Sequence, residues 1–97
     1  MKNVETIKRT LFEHKADLRE KFKVKNIGVF GSYVRGEQKG SSDVDVLIEF
    51  DDPIGLFEFM KLENYLSDLL GVKVDLVSKK ALKPHIGERI LEEVIMI

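Results

Sequence analysis

The segment from Gly31 to Asp45 constrains the fold of this chain more than any other. A Gly31-Ser32 turn directly follows one apolar run, and two carboxylates, Asp43 and Asp45, begin the next. A turn that opens a helix leaves backbone N–H groups unpaired, and such groups bind phosphate. Residues two apart on a strand point to the same face of the sheet, so the two aspartates are predicted to lie side by side.

Two neighbouring carboxylates repel each other unless a cation lies between them. A site whose ligands are all oxygen atoms favours a hard ion such as Mg²⁺. A nucleoside triphosphate needs both a phosphate-binding turn and a divalent ion. The segment therefore predicts a site for a nucleoside triphosphate and a metal ion at one edge of a sheet.

The composition indicates an ordinary globular chain. With 97 residues, 43% of them hydrophobic, residues 1–97 are expected to form one domain around one core. The 16 basic and 17 acidic residues leave a net charge of -1, so direct nucleic-acid binding is not expected. The chain has no cysteine, which excludes disulfides and is consistent with a cytoplasmic location. No apolar run approaches the roughly 18 residues that span a bilayer, so no membrane contact is expected.

Hydrophobic periodicity and turn residues predict alternating helices and strands. Ser32 is expected to cap the short helix after the turn, and Gly36 is expected to end it. Asp52 is expected to cap the central helix, with Pro53 at its first position and Gly71 at its end. The predicted elements are a helix over Val4–Phe22, a strand over Val24–Phe30, a short helix to Arg35, a strand over Asp43–Phe50, a helix over Ile54–Leu70, a strand over Val72–Val77, a short turn from Ser78 to Leu82, a helix from Pro84 and an edge strand over Glu93–Ile97.

Alternation along the predicted strands separates core residues from acids. In Asp43–Phe50, one face carries apolar residues and is expected to build the core, while the other carries the two aspartates. The next strand places a third acid, Asp75, where it can approach them. His14 completes the apolar stripe of the first helix and is interpreted as a packed or boundary residue, because the only other histidine, His85, is far along the chain.

The helix over Ile54–Leu70 has an unusually broad apolar face. Its main stripe runs through Leu56, Phe59, Leu62, Leu66 and Leu69, and further apolar side chains, Phe57, Met60, Tyr65 and Leu70, lie outside it. Two interpretations stay open. The helix is either well buried in a small domain or presents a surface to a partner.

The combination of these motifs resembles a known family. Gly31-Ser32, Arg35-Gly36, Ser42-Asp43-x-Asp45 and an aspartate on the next strand are similar to nucleotidyltransferases of the polymerase beta type. Within that superfamily the chain most resembles the minimal nucleotidyltransferase (MNT) antitoxins that are paired with HEPN toxins. The resemblance implies an α/β (α+β) fold with a small mixed sheet flanked by helices.

The resemblance also implies roles for individual residues. Gly31 and Ser32 would hold the β and γ phosphates of ATP. Asp43 and Asp45 would bind two Mg²⁺ ions, typically about 3.5 to 4 Å apart, and Asp75 would complete the site by binding metal or accepting the proton of the acceptor hydroxyl. Arg35 is expected either to neutralise phosphate charge or to form a structural ion pair.

Two functions follow from the resemblance. The first is an Mg²⁺-dependent enzyme that transfers AMP from ATP to a hydroxyl, expected to be that of a tyrosine, on a cognate HEPN ribonuclease toxin. The second is an antitoxin that neutralises the same partner by covering its surface, without catalysis. The intact set of Asp43, Asp45 and Asp75 favours the first function.

Overall fold

The computed structural model describes residues 3–97 of the chain. Helices and strands alternate along most of its length. In order they are α1 (Val4–Glu13), α2 (Lys15–Phe22), β1 (Val24–Phe30), α3 (Ser32–Arg35), β2 (Val44–Phe50), α4 (Leu56–Leu70), β3 (Val74–Ser78), a 3₁₀ turn (Lys79–Ala81), α5 (Pro84–Glu93) and β4 (Ile95–Met96).

The four strands form one mixed sheet in the order β3-β2-β1-β4. β1 runs antiparallel to both β2 and β4, whereas β2 and β3 run parallel and are joined by α4. A parallel neighbour requires a crossover connection, which α4 supplies. The end of β1 therefore meets the beginnings of β2 and β3 at one edge of the sheet. The predicted small mixed sheet flanked by helices is confirmed.

The core lies between one face of the sheet and the three helices α1, α2 and α4. Alternate residues of β2 are fully buried on this face, and leucines of α4 pack against them. The principal members are Ile7, Leu11, Leu18, Ile27, Val29, Val44, Val46, Ile48, Leu62, Leu66, Leu70 and Val74. The opposite face of β2 carries Asp45 and Leu47 and is the side on which the functional residues lie.

The first helix is interrupted, so the prediction of one helix over Val4–Phe22 is wrong. The interruption is at His14, whose N–H donates to the Leu11 carbonyl at 3.2 Å instead of continuing the helical pattern to Thr10. The Thr10 carbonyl is taken by the His14 ring, with Nδ1 at 2.9 Å. A side chain that competes for a backbone carbonyl in this way ends a helical segment. The expectation that His14 is a boundary residue is confirmed, since it is partly buried.

The predicted helix caps at Ser32 and Asp52 are also wrong. Gly31 is the N-cap residue of α3, so that Ser32 is its first helical residue. α4 begins at Leu56 with Gly55 as its cap, and Asp51 donates its N–H to the Lys23 carbonyl just beyond the end of β2. Ser78 makes no side-chain capping bond, although the short turn after it exists.

Three of the four strands differ from their predicted bounds, and β3 also ends at Ser78, one residue after the predicted Val77. β2 begins at Val44, one residue after the predicted Asp43. β3 begins at Val74 rather than Val72, with its first N–H bonded to the Ser67 hydroxyl at 3.0 Å. The final edge strand is confirmed at Ile95–Met96 only, because helix α5 continues through Glu93.

Helix α4 combines the two interpretations of its broad apolar face. Leu62, Leu66 and Leu70 are fully buried, although the last of these lay outside the predicted stripe. In contrast, Leu56 and Phe57 are 70% and 80% exposed, and Met60 in the next turn is 49% exposed. The helix is therefore core along most of its length and apolar but uncovered at its beginning. Within residues 3–97, no helix is long and apolar enough to cross a bilayer.

Candidate active site

The sheet register brings the predicted acids to one edge. The last residue of β1, Phe30, pairs with Asp45 in β2, and Asp45 in turn pairs with Asp75 in β3. Side chains at paired positions on neighbouring strands leave the same face of a sheet. Asp43 directly precedes β2 and is partly buried, whereas Asp75 is exposed. The predicted acidic residues are thus contributed by the beginnings of two parallel strands.

Gly31 connects the acids to the predicted phosphate-binding turn. Its φ of 82° lies in the region that only glycine adopts readily, and a Cβ atom there would overlap Oδ2 of Asp45. The backbone of the turn and the carboxylate are therefore packed directly against each other. A side chain at position 31 would separate them. Glycine is required both for the conformation and for this contact.

The short helix after the turn ends at Arg35 as predicted and begins one residue earlier than predicted, at Ser32. Gly31 accepts hydrogen bonds from the N–H groups of Val34 and Arg35 at 3.1 and 3.2 Å, and Gly36 ends the helix with a φ of 70°. Ser32 is half-buried at its first position, beside Gly31. The turn thereby places the Ser32 hydroxyl and the side chain of Arg35 on the same short segment as the Gly31 N–H.

The surroundings of Asp45 disfavour ionisation of its carboxyl group and so raise its pKa. Burial, as the largest cause, together with the nearby negative charges of Asp75 and Asp43, raises its pKa from the ordinary 3.8 to about 6. The positive charge of Arg35 opposes this rise, although it does not cancel it. Uncompensated carboxylates that oppose each other's ionisation are typical of sites that gain a cation or a proton when they function.

The chemistry of these acids fits Mg²⁺, which takes oxygen ligands and commonly uses one or two carboxylates together with substrate phosphates. As the side chains stand, no group of three His, Cys, Asp or Glu residues within 3–97 is arranged to hold a metal ion. A pair of carboxylates plus phosphate oxygens would complete such a site without a third protein ligand. The residues thus provide part of a magnesium site rather than a closed one.

Glu93 is a site residue that the sequence analysis did not identify. Its Oε2 accepts the Gly31 N–H at 2.8 Å, and its Oε1 accepts a hydrogen bond from Nη1 of Arg35 at 2.5 Å. Arg35 also donates through Nε to Glu37 at 2.5 Å. The bond from Arg35 lowers the pKa of Glu93, and the bonds to Glu37 and Glu93 raise that of Arg35. The ion pair, one of the two roles expected for Arg35, is present.

A signal for Glu93 was available in the sequence. The last helix carries the apolar residues Ile86 and Ile90, and position 93 follows them at the three- and four-residue steps of one helical face. The predicted strand over Glu93–Ile97 ended the helix before Glu93, so this residue was not counted on that face. Continuing the helix by one turn would have placed Glu93 on the face that covers the sheet.

A cavity of about 370 Å³ lies between this face of α5 and the acidic edge of the sheet. Gly31, Arg35 and Asp45 line it on one side, and Arg89 and Glu93 on the other. Another concavity of similar volume, about 390 Å³, lies between α2 and β1 and contains none of the predicted site residues. The cavity beside α5 is therefore the candidate active site.

Comparison with known proteins shows the family to which the chain is related. The family model described as the nucleotidyltransferase domain matches residues 11–97. The chain belongs to this family. As a nucleotidyltransferase-family protein it is 50% identical over 97 residues to the protein adenylyltransferase MntA of Thermococcus cleftensis, covering 100% of this chain and 98% of that one.

Two solved structures extend the comparison to the fold. A structure described as a "putative minimal nucleotidyltransferase" superimposes with a TM-score of 0.80 at 36% identity, covering 97% of this chain and 95% of that one. A chain in the structure of a tri-AMPylated Shewanella oneidensis HEPN toxin in complex with MNT antitoxin gives a TM-score of 0.69 at 20% identity, covering 93% and 70% of the two chains. The second likeness concerns the fold alone. The resemblance to minimal nucleotidyltransferases is confirmed.

Proposed function

We propose that this protein is an antitoxin that transfers AMP from ATP to a hydroxyl group, that of a tyrosine, on a HEPN toxin. The observation that carries the proposal is the pairing of Asp45 with Asp75 directly beside the Gly31 turn. The name of the Thermococcus cleftensis relative, a protein adenylyltransferase, supports AMP as the transferred group. The AMPylated HEPN toxin held by a protein of similar fold supports the class of acceptor.

In this proposal one group of residues binds the phosphates of ATP and another acts on the acceptor hydroxyl. The Gly31 N–H, the Ser32 hydroxyl and Arg35 bind the β and γ phosphates, which fixes ATP in the cavity beside α5. The acceptor oxygen attacks the α phosphorus, the bond from that phosphorus to the bridging oxygen breaks, and pyrophosphate leaves. Asp75, which is exposed, lies where an incoming protein hydroxyl is accessible to it, and it takes the proton of that hydroxyl or helps to bind metal.

Asp43, Asp45 and Asp75 are the residues that would hold magnesium, as two ions. When bound, the metal would supply positive charge against the triphosphate and lower the pKa of the acceptor hydroxyl. The raised pKa of Asp45 supports this role, because a cation would offset the burial and the neighbouring negative charges that raise it. In this proposal the acceptor hydroxyl comes from a separate molecule, the toxin.

Intact-mass spectrometry of a cognate HEPN protein tests the proposal. The HEPN protein is incubated with ATP, Mg²⁺ and either the wild type, Asp43→Asn or Asp68→Asn. Asp68 is an exposed acid on α4 and makes the matched control, because it undergoes the same chemical change outside the site. We expect a gain of one or more AMP units with the wild type and the control and none with Asp43→Asn. Absence of AMP addition in every sample would reject the enzymatic function.

A second candidate is an antitoxin that acts by binding alone. It is favoured by the uncovered apolar side chains Leu56, Phe57 and Met60 at the beginning of α4. Here the toxin would be neutralised by covering its surface, so Asp43→Asn would still protect cells and Phe57→Ser would not. The enzymatic proposal predicts the opposite result for Asp43→Asn. Growth of cells that express the toxin distinguishes the two.

A further inference from the structure

The Glu93 carboxylate occupies the donors that the proposed function assigns to phosphate. It accepts the Gly31 N–H at 2.8 Å and pairs with the Arg35 guanidinium. A backbone N–H together with a guanidinium is a common set of donors for phosphate oxygens. A carboxylate bound to the same donors is therefore chemically equivalent to an anionic ligand. In this structure the chain provides that anion itself.

We propose that Glu93 is a built-in competitor for the triphosphate, and that ATP displaces its carboxylate from Gly31 and Arg35. This inference rests on the proposed function, because it concerns the same phosphate-binding groups. The N–H of Gly31 has a single hydrogen to donate, so the carboxylate and a phosphate oxygen compete for it. A triphosphate and a carboxylate are also both negative, and like charges at one site repel.

Displacement requires movement of the side chain only. The backbone after Glu93 is held by β4, which pairs with β1 through Ile95 and Met96. The chain is fixed again at Ile97, whose N–H donates to the Ile27 carbonyl at 2.9 Å and whose carbonyl accepts from Nζ of Lys15 at 3.0 Å. The Glu93 side chain, in contrast, is 23% exposed and can turn toward solvent.

Arg89 provides a second partner for the displaced carboxylate. It precedes Glu93 by four residues on α5, a spacing at which oppositely charged side chains meet on a helix. It lines the same cavity, and its positive charge already lowers the pKa of Glu93. Within residues 3–97, Arg89 takes part in none of the ion pairs. The Glu93 carboxylate can therefore exchange one arginine for another.

Calorimetric titration with α,β-methylene-ATP and Mg²⁺ tests the inference, since this analogue binds without transfer. The proteins are the wild type, Glu93→Gln and Glu92→Gln. Glu92 is the adjacent, exposed acid of α5, so its substitution changes the net charge equally outside the cavity. We expect Glu93→Gln to bind roughly tenfold more tightly than the other two, as when one charge-assisted hydrogen bond no longer competes. Inorganic tripolyphosphate should show the same gain, because the competition concerns phosphate.

The other outcomes overturn the inference in distinguishable ways. Equal affinity of all three proteins rejects competition but leaves the proposed function intact. Weaker binding by Glu93→Gln would mean that Glu93 positions Gly31 and Arg35 for the nucleotide. Absence of binding and of AMP transfer by the wild type would reject the function as well. If Glu93→Gln does not fold, a crystal structure of the wild type with the analogue decides: a retained bond between Glu93 and the Gly31 N–H refutes displacement.

Discussion

Substitution of Asp45 by Asn should stabilise the metal-free protein at neutral pH. The pKa of Asp45 rises from 3.8 to about 6 on folding, with burial as the main cause. At about 1.36 kcal/mol per pKa unit, this shift corresponds to about 3 kcal/mol. Because the carboxylate is only partly buried, solvent screening reduces the value to about 1 to 2 kcal/mol. The amide removes this cost while it keeps the size of the side chain.

The sign of the effect depends on pH. Well below pH 3.8 the carboxyl is protonated in both the folded and the unfolded chain, so it contributes no difference. Between pH 4 and 6 it ionises in the unfolded chain first, and the free energy of unfolding of the wild type falls. Above pH 6 the carboxyl is ionised in both states, and the free energy of unfolding of the wild type falls no further. The advantage of Asp45→Asn should therefore grow from near zero well below pH 3.8 to its full value by pH 7.5.

Urea unfolding monitored by circular dichroism at pH 4.5, 6 and 7.5, in the presence of a chelator, measures this advantage. Asp68→Asn, on the exposed side of α4, provides the control and should show no comparable dependence on pH. The reasoning is refuted if Asp45→Asn is no more stable than the wild type at pH 7.5. A difference of equal size at all three pH values would likewise contradict it, since it would not arise from ionisation.

Three further predictions concern ligands and backbone contacts. At a hundredfold excess over Kd, Mg²⁺ with ATP should stabilise the wild type by about 2.7 kcal/mol and so raise its melting temperature. The melting temperature of Asp45→Asn should rise less, and equal shifts would contradict metal binding at Asp45. Gly31→Ala should cost about 1 to 3 kcal/mol in urea unfolding and abolish AMP transfer, because Gly31 has a positive φ and its backbone lies against Asp45. The control Gly40→Ala should be tolerated, because the space around Gly40 is open. Ser67→Ala should cost about 1 to 3 kcal/mol in urea unfolding, since the Val74 N–H loses its partner; an unchanged urea midpoint would refute this.

The sequence predicted the acidic edge of the site because that edge depends on local pattern. Asp43 and Asp45 are two residues apart at the head of a strand, and Asp75 occupies the matching place on the next strand. Alternation fixes which side each residue faces, whatever the rest of the chain does. Local pattern also predicted the bounds of β1 and the end of α3 correctly.

The features that the sequence did not predict depend on contacts outside local periodicity. The helix breaks at His14 because its ring binds the Thr10 carbonyl, which the backbone would otherwise use. No Gly or Pro marks this position in the sequence. The role of Glu93 depends on Gly31, 62 residues earlier in the chain. Hydrophobic pattern indicates which face of a helix is buried, but it does not indicate which backbone group a polar side chain on that face will meet.

The pairing of Asp45 with Asp75 has a consequence for how this site tolerates mutation. The spacing of the two carboxylates is set by the distance between adjacent strands, not by the conformation of a loop. A slip of β3 by one residue would turn Asp75 to the opposite face, but the same slip would expose Val74 and Leu76, which are buried. A variant that stays folded therefore keeps the pair intact. During evolution this arrangement can be lost by replacing an acid, yet it resists gradual erosion by changes elsewhere in the chain.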